Sequence, residues 1–197
     1  MKKHIVIFFY FIGLLAASRI IPHPPNFTPV IAMAIFMPYL TRNLSNATVV
    51  PLASMFVSDL YLGFHSNMFW VYGSVLLVTT LSYYTMSMKK MFVHLGSNAL
   101  LSSVLFFVIT NFAVWMSGTM YPMTVEGLLL CYTMAIPFFT NTLAGTLFYV
   151  TLLGLVSYSL TYITRRDTHN EENISNSLNI ITFPHRNLRP ADKIIRS

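Results

Sequence analysis

The sequence predicts an all-α fold, a polytopic transmembrane helical bundle of six spans with a short re-entrant or surface helix before the last. Three observations predict it. First, the 197 residues are 55% hydrophobic and only 9% charged, whereas a soluble domain carries roughly 25% charged residues. So little charge cannot coat a water-facing surface, and lipid is the expected solvent. Second, the apolar residues gather in runs at about residues 4–21, 27–41, 47–63, 69–86, 95–117 and 124–163, most of them close to the roughly 20 residues that a spanning helix needs. Third, the basic residues sit at the ends of these runs or after residue 164.

The first run follows Lys2 and Lys3 and ends on Ala16, Ala17 and Ser18, a pattern shared with secretory leaders. Arg19 and a further apolar run come directly after it, so a retained first helix is the simpler reading. Prolines punctuate the second and third runs. Pro29 and Pro51 suit the first turn of a helix, where the missing N–H costs nothing. Pro38 is expected to end or kink the second span. The last run is too short for two spans and a turn, and two spans would put Arg165 and Arg166 outside. Pro137 divides it, giving a re-entrant or surface helix over 124–136 and a sixth span over about 138–163. Non-helical backbone at such depth requires cover from protein or a cavity. The transmembrane domain is thus 1–163. The Asn-, Ser- and charge-rich tail, 164–197, is expected to be a disordered cytoplasmic extension.

With the N-terminus inside, six spans place Lys2, Lys3, Arg42, Lys89, Lys90, Arg165, Arg166 and the tail's Arg186, Arg189, Lys193 and Arg196 on the cytoplasmic side. Only Arg19 falls outside, as the positive-inside rule requires. Both termini are then cytoplasmic. The net charge of +6 is accounted for by topology rather than by a nucleic-acid-binding stripe. The single Cys131 excludes an intramolecular disulfide and a cysteine-built zinc site.

The orientation gathers the unusual polar residues on the outer side. Arg19, His23 and Asn26 close the first span, and Asp59 and His65 close the third. Trp70 opens the fourth. Asn111 and Trp115, four apart and so on one helix face, close the fifth. Tyr121 and Glu126 follow, and Asn141 lies a few turns into the last span. Ionisable residues in spans usually face a partner or a wet cavity. The expectation is an outward-facing polar and aromatic pocket with substrate-binding residues Arg19, His23, Asn26, Asp59, Trp70, Asn111, Trp115, Tyr121 and Asn141. The same residues admit plainer roles. Trp70, Trp115 and Tyr121 fit an interfacial aromatic belt. Arg19 with Asp59 fits a structural ion pair, and Asn111 with Asn141 fits interhelical glue. His23, His65 and Asp59 lack diagnostic metal-site spacing, so no metal and no cofactor is expected.

The string Arg19-Ile-Ile-Pro-His-Pro-Pro-Asn-Phe-Thr-Pro29 is distinctive. With it go Ile31-Ala-Met-Ala34, Ser58-Asp59-Leu60, Thr110-Asn111-Phe112, Tyr121-Pro122 and Ile136-Pro137-Phe138-Phe139. Over roughly residues 10–150 these resemble a family of bacterial inner-membrane proteins of unknown function, often described as putative transport proteins. That family is similar in size and layout to the S-components of energy-coupling-factor vitamin transporters. The resemblance implies a six-helix protein of the bacterial inner membrane that captures a micronutrient from the outer side. It also implies a separate transmembrane coupling subunit and cytoplasmic ATPases as partners. The small-residue docking pattern expected of the first helix is only loosely met by Gly13 and Ala17. The chain itself carries no Gly-rich phosphate loop. A stand-alone secondary transporter and a non-catalytic envelope scaffold are the other readings. An enzyme is not expected, because no paired-carboxylate, metal-ligand or Ser/His constellation has diagnostic spacing.

Overall fold

In the computed structural model the backbone is described for residues 2–182, and side chains are described from 9 to 174 except at 167 and 169. Six helices follow one another and there are no strands among the described residues. They are α1 Lys2–Ile20, α2 Val30–Thr41, α3 Leu44–Leu62, α4 Met68–Thr85, α5 Met91–Met116 and α6 Val125–Thr182. Two of them, α5 and the Val125–Ile174 portion of α6, are long and apolar enough to cross a membrane, with mean hydropathies of 2.0 and 1.6.

Six full spans do not follow from these lengths. The 12 residues of α2 rise only about 18 Å, well short of the roughly 30 Å hydrocarbon core. The surroundings of α2 explain its shortness. Every residue from Val30 to Tyr39 is buried, and α2 packs against α3, α4 and α5. A helix that is apolar all round is a core element, and α2 is the post around which the others stand. Ala32, Ala34, Ala47 and Ala99 are fully buried and let neighbouring backbones approach.

The prolines behave in three ways. Pro29 caps α2 as its position suggested. Pro38 lies inside α2, which stops within one turn at Arg42, a left-handed residue whose N–H donates to the Pro38 carbonyl at 3.0 Å. Pro51 is not in a first turn. The Asn43 side chain accepts from the Asn46 N–H at 3.0 Å, so the cap starts α3 at Leu44 and leaves Pro51 in its interior.

The re-entrant or surface helix over 124–136 is also corrected. Helix α6 is continuous through Pro137, and the bonds that hold this part flank the proline without breaking the helix. The Tyr132 hydroxyl donates to the Val108 carbonyl at 2.8 Å, and the Phe107 and Phe139 rings lie 5.0 Å apart. Packing of both sides of Pro137 on α5 overrides the local cost of the missing N–H. Two compact units divide the chain, 1–155 and 156–197. In the second, the helix carries on to Thr182 with its described side chains almost all exposed. The first part of the polar tail is therefore helical, and residues 183–197 lie outside the described residues.

Within the first unit, consecutive helices alternate in direction. The C-terminal ends of α1, α3 and α5 and the N-terminal ends of α2 and α4 all reach one cavity. The basic residues Arg42, Lys89 and Lys90 fall at the opposite helix ends.

Candidate functional site

The turn between α1 and α2 is shaped by its own sequence. The Phe27 N–H donates to the Pro24 carbonyl at 3.0 Å, and Asn26 has φ of 63°. Proline second and a positive-φ residue third are what a type II turn demands, and asparagine tolerates that conformation better than other side chains except glycine. Phe27 is held from outside the turn. Its ring lies 5.7 Å from Tyr149 and 6.1 Å from Phe148, and a Cβ on Gly145 would come within 3.2 Å of its Cα. The Pro-His-Pro-Pro-Asn-Phe string is thus a rigid ledge.

The ledge roofs a cavity of about 300 Å³ lined by Arg19, His23, Asn26, Thr28, Val30, Ile31, Met55, Leu62, His65, Val71, Val75, Phe106 and Thr142. A second lobe of about 230 Å³ shares Asn26, Val71, Phe106 and Thr142 with it, and adds Phe107, Thr110, Asn111, Val114, Phe138 and Phe139. The two lobes differ in chemistry. One offers a guanidinium and two imidazoles, the other four phenylalanines with two amides and hydroxyls. No carboxylate lines either lobe.

Arg19 is fixed by α3. Its Nη1 lies 2.8 Å from Asp59 Oδ1 and donates to the Met55 carbonyl at 3.1 Å and to the Ser58 hydroxyl. The other carboxylate oxygen, Oδ2, accepts from the Tyr72 hydroxyl at 2.7 Å. Asp59 is 1% exposed and the Arg19 side chain 18%. Three helices are thereby tied through one carboxylate, which sits behind the wall while the arginine forms part of it.

Four of the nine residues expected to bind substrate line the cavity, namely Arg19, His23, Asn26 and Asn111. The other five do not. Asp59 holds Arg19 and Tyr72. Trp70 packs on Phe69 and Phe112 at 6.0 and 6.3 Å. The Trp115 indole N–H donates to the Pro122 and Thr124 carbonyls at 3.1 and 3.2 Å, closing the loop from α5 to α6, where Tyr121 is half-buried. Asn141 is half-buried beside Thr142, and it is Thr142 that faces the cavity. The His23 ring is steered by its own turn, with Nδ1 2.8 Å from the Pro24 carbonyl. Threonines 28, 110 and 142 and phenylalanines 106, 107, 138 and 139 were missed. Thr28, Thr110, Phe138 and Phe139 stand in distinctive strings, but ordinary threonines and phenylalanines in apolar helices, such as Thr142, Phe106 and Phe107, give no signal of their own.

Among the described residues, no group of three or more His, Cys, Asp or Glu side chains could hold a metal ion. A family of unknown function (DUF6580) matches residues 1–166, and the chain belongs to that family. The match takes in the first three residues of the polar segment that begins at Thr164. No curated protein and no solved structure matches the chain.

Proposed function

We propose that the chain is a membrane-embedded substrate-binding subunit for uptake of a small, vitamin-like micronutrient, with its cavity open to the outer side. The two-lobed cavity carries the reading. Ligand sites are concave, mostly apolar and set with a few convergent polar groups, commonly at about 300–1,000 Å³. The lobes here join a polar end, with the Arg19 guanidinium and the His23 and His65 imidazoles, to an aromatic end at Phe106, Phe107, Phe138 and Phe139. That pairing suits a small planar solute carrying an acidic group.

Placement in the bilayer rests on exposure. Phe9, Tyr61, Phe69, Leu129 and Leu155 are 69%, 75%, 80%, 63% and 52% exposed, and exposed large apolar side chains occur on all six helices. A protein in water seldom exposes contiguous apolar patches larger than a few hundred Å². In this reading the helices cross an inner membrane alternately, around the short α2, with both termini in the cytoplasm. The cavity then lies opposite the basic ends. A coupling subunit and ATPases would power release, because the cavity residues bind but supply no energy. A scaffold protein would have no use for a cavity of this size lined by Arg19, His23 and Asn26.

Native mass spectrometry of the purified protein tests the proposal. A small molecule is expected to accompany wild-type protein and to be lost from Thr28→Trp, which fills the cavity from the loop. Equal recovery of that molecule with both proteins, or none with wild-type protein incubated in cell extract, would refute the reading.

A further inference from the structure

Hydroxyls in helices normally bond back to a carbonyl three or four residues earlier. Most do so here, including Ser54, Ser74, Thr79, Ser97, Thr110 and Thr142. Four do not. The Ser82, Ser102, Ser103 and Thr146 hydroxyls are buried with no hydrogen-bond partner, on residues only 0–1% exposed. Tyr39 is a fifth such hydroxyl, but it stands apart near the C-terminal end of α2.

Helix register brings the four together. Antiparallel α4 and α5 are pinned at one end by Asn98 Nδ2 donating to Thr85 Oγ1 at 3.0 Å. At the other end they are pinned by the Trp70–Phe112 ring contact at 6.3 Å. Ser82 is three residues before Thr85 and Ser102 is four after Asn98, so the two share a face and a level. Antiparallel α5 and α6 are pinned by Phe107 on Phe139, and by Leu95, whose Cδ1 lies 3.1 Å from where a Gly154 Cβ would stand. Ser103 is eight residues after Leu95 and Thr146 eight before Gly154, so these two also share a level. The two pairs therefore flank a single turn of α5. One turn further towards the cavity are Phe106 and Thr142, which line both lobes.

We propose that this level is a hydrated chamber, a binding site for water molecules that continues the cavity inwards past Thr142. An internal water needs two to four polar partners, and two facing hydroxyl pairs supply them. A monovalent cation fits worse. No carboxylate stands at this level, and the helices here are unbroken, so their carbonyls are committed to backbone bonds. The chamber stands whatever solute the cavity takes.

A thiol tests it, since methanethiosulfonates react with the thiolate and a thiol in apolar surroundings stays protonated. In Cys131→Ala protein, Ser103→Cys is compared with Ala99→Cys, one turn away on the same face and fully buried in the apolar cluster. With 2-aminoethyl methanethiosulfonate, Ser103→Cys is expected to react at least about tenfold faster. Should either variant melt well below its parent, Thr146→Cys against Val150→Cys replaces the pair. Equal rates within the pair that folds would overturn the proposal.

Discussion

Arg19, Asp59 and Tyr72 invite a double-mutant cycle whose outcome is asymmetric. Removing one member of a buried ion pair commonly costs about 3–5 kcal/mol, because the other charge is left uncompensated. Here the two charges are not equally trapped. Asp59 is 1% exposed, while Arg19 is 18% exposed and borders a cavity that can admit water. Arg19→Gln therefore strands a carboxylate with only the Tyr72 hydroxyl, at an expected cost of about 4 kcal/mol. Asp59→Asn leaves a guanidinium that keeps the Met55 carbonyl and Ser58 hydroxyl and can hydrate, at about 2 kcal/mol. The double variant is expected to cost about 3 kcal/mol, less than Arg19→Gln alone, which is a coupling of about 3 kcal/mol. Thermal unfolding in detergent reads these values. At about 2–4 °C per kcal/mol for a chain of this size, Arg19→Gln lowers Tm by about 8–16 °C and Asp59→Asn by about half that. Strict additivity of the singles, or an Asp59→Asn cost at or above that of Arg19→Gln, would refute the assignment of the trapped charge to Asp59.

Tyr72→Phe removes a hydrogen bond to a charged acceptor and is expected to cost about 2 kcal/mol, and in an Asp59→Asn background about half of that or less. Asn26→Gly should leave the α1–α2 turn and its melting temperature nearly unchanged, whereas Asn26→Val, forced to positive φ, should cost about 1–2 kcal/mol; equal melting temperatures would remove the turn's conformational argument. Gly127→Ala should be among the most damaging small changes, at about 3 kcal/mol, because its Cβ would collide with the Pro122 backbone carbonyl; a wild-type Tm would mean that the loop from α5 to α6 is free to shift. In Cys131→Ala protein, cysteines at His65 or Thr119 should react with an impermeant thiol reagent in intact cells, and a cysteine at Ser87 only after lysis. The reverse pattern would overturn the outward orientation.

The helices were legible wherever polar punctuation coincided with the end of an apolar run. The helices α1 to α5 begin and end within four residues of those runs, because Pro29, the Arg42–Asn43 pair, Gly63 and Lys89–Lys90 interrupt both hydropathy and helix together. Pro51 and Pro137 misled for the opposite reason. Both lie inside continuous helices; the Asn43 cap that starts α3 early is a local signal that outranks Pro51, whereas the packing against α5 that carries α6 through Pro137 is not visible in local sequence. The role of α2 was similarly hidden. An apolar run of 12 residues reads the same whether it faces lipid or three neighbouring helices, and only its length of about 18 Å separates the two.

The site divides along the same physical line. Sequence can flag a group that is costly where it stands, and Arg19, His23, Asn26 and Asn111 were found because a polar or ionisable residue at a span's end needs a reason. It cannot say whether that reason is a ligand or a neighbour. Asp59 and Trp115 carried the same signal as Arg19, yet the structure uses the first to hold Arg19 and Tyr72 and the second to close a loop. Sequence is nearly blind to side chains that cost nothing. Phe106 and Thr142 line both lobes, and an apolar ring or a threonine in an apolar helix raises no energetic question until the helices are placed. The four unpartnered hydroxyls show the limit most sharply. Ser82, Ser102, Ser103 and Thr146 are unremarked in the chain because a helical hydroxyl can bond to its own backbone. Their significance lies in the bond that each one does not make, and that becomes visible only when α4, α5 and α6 are set side by side.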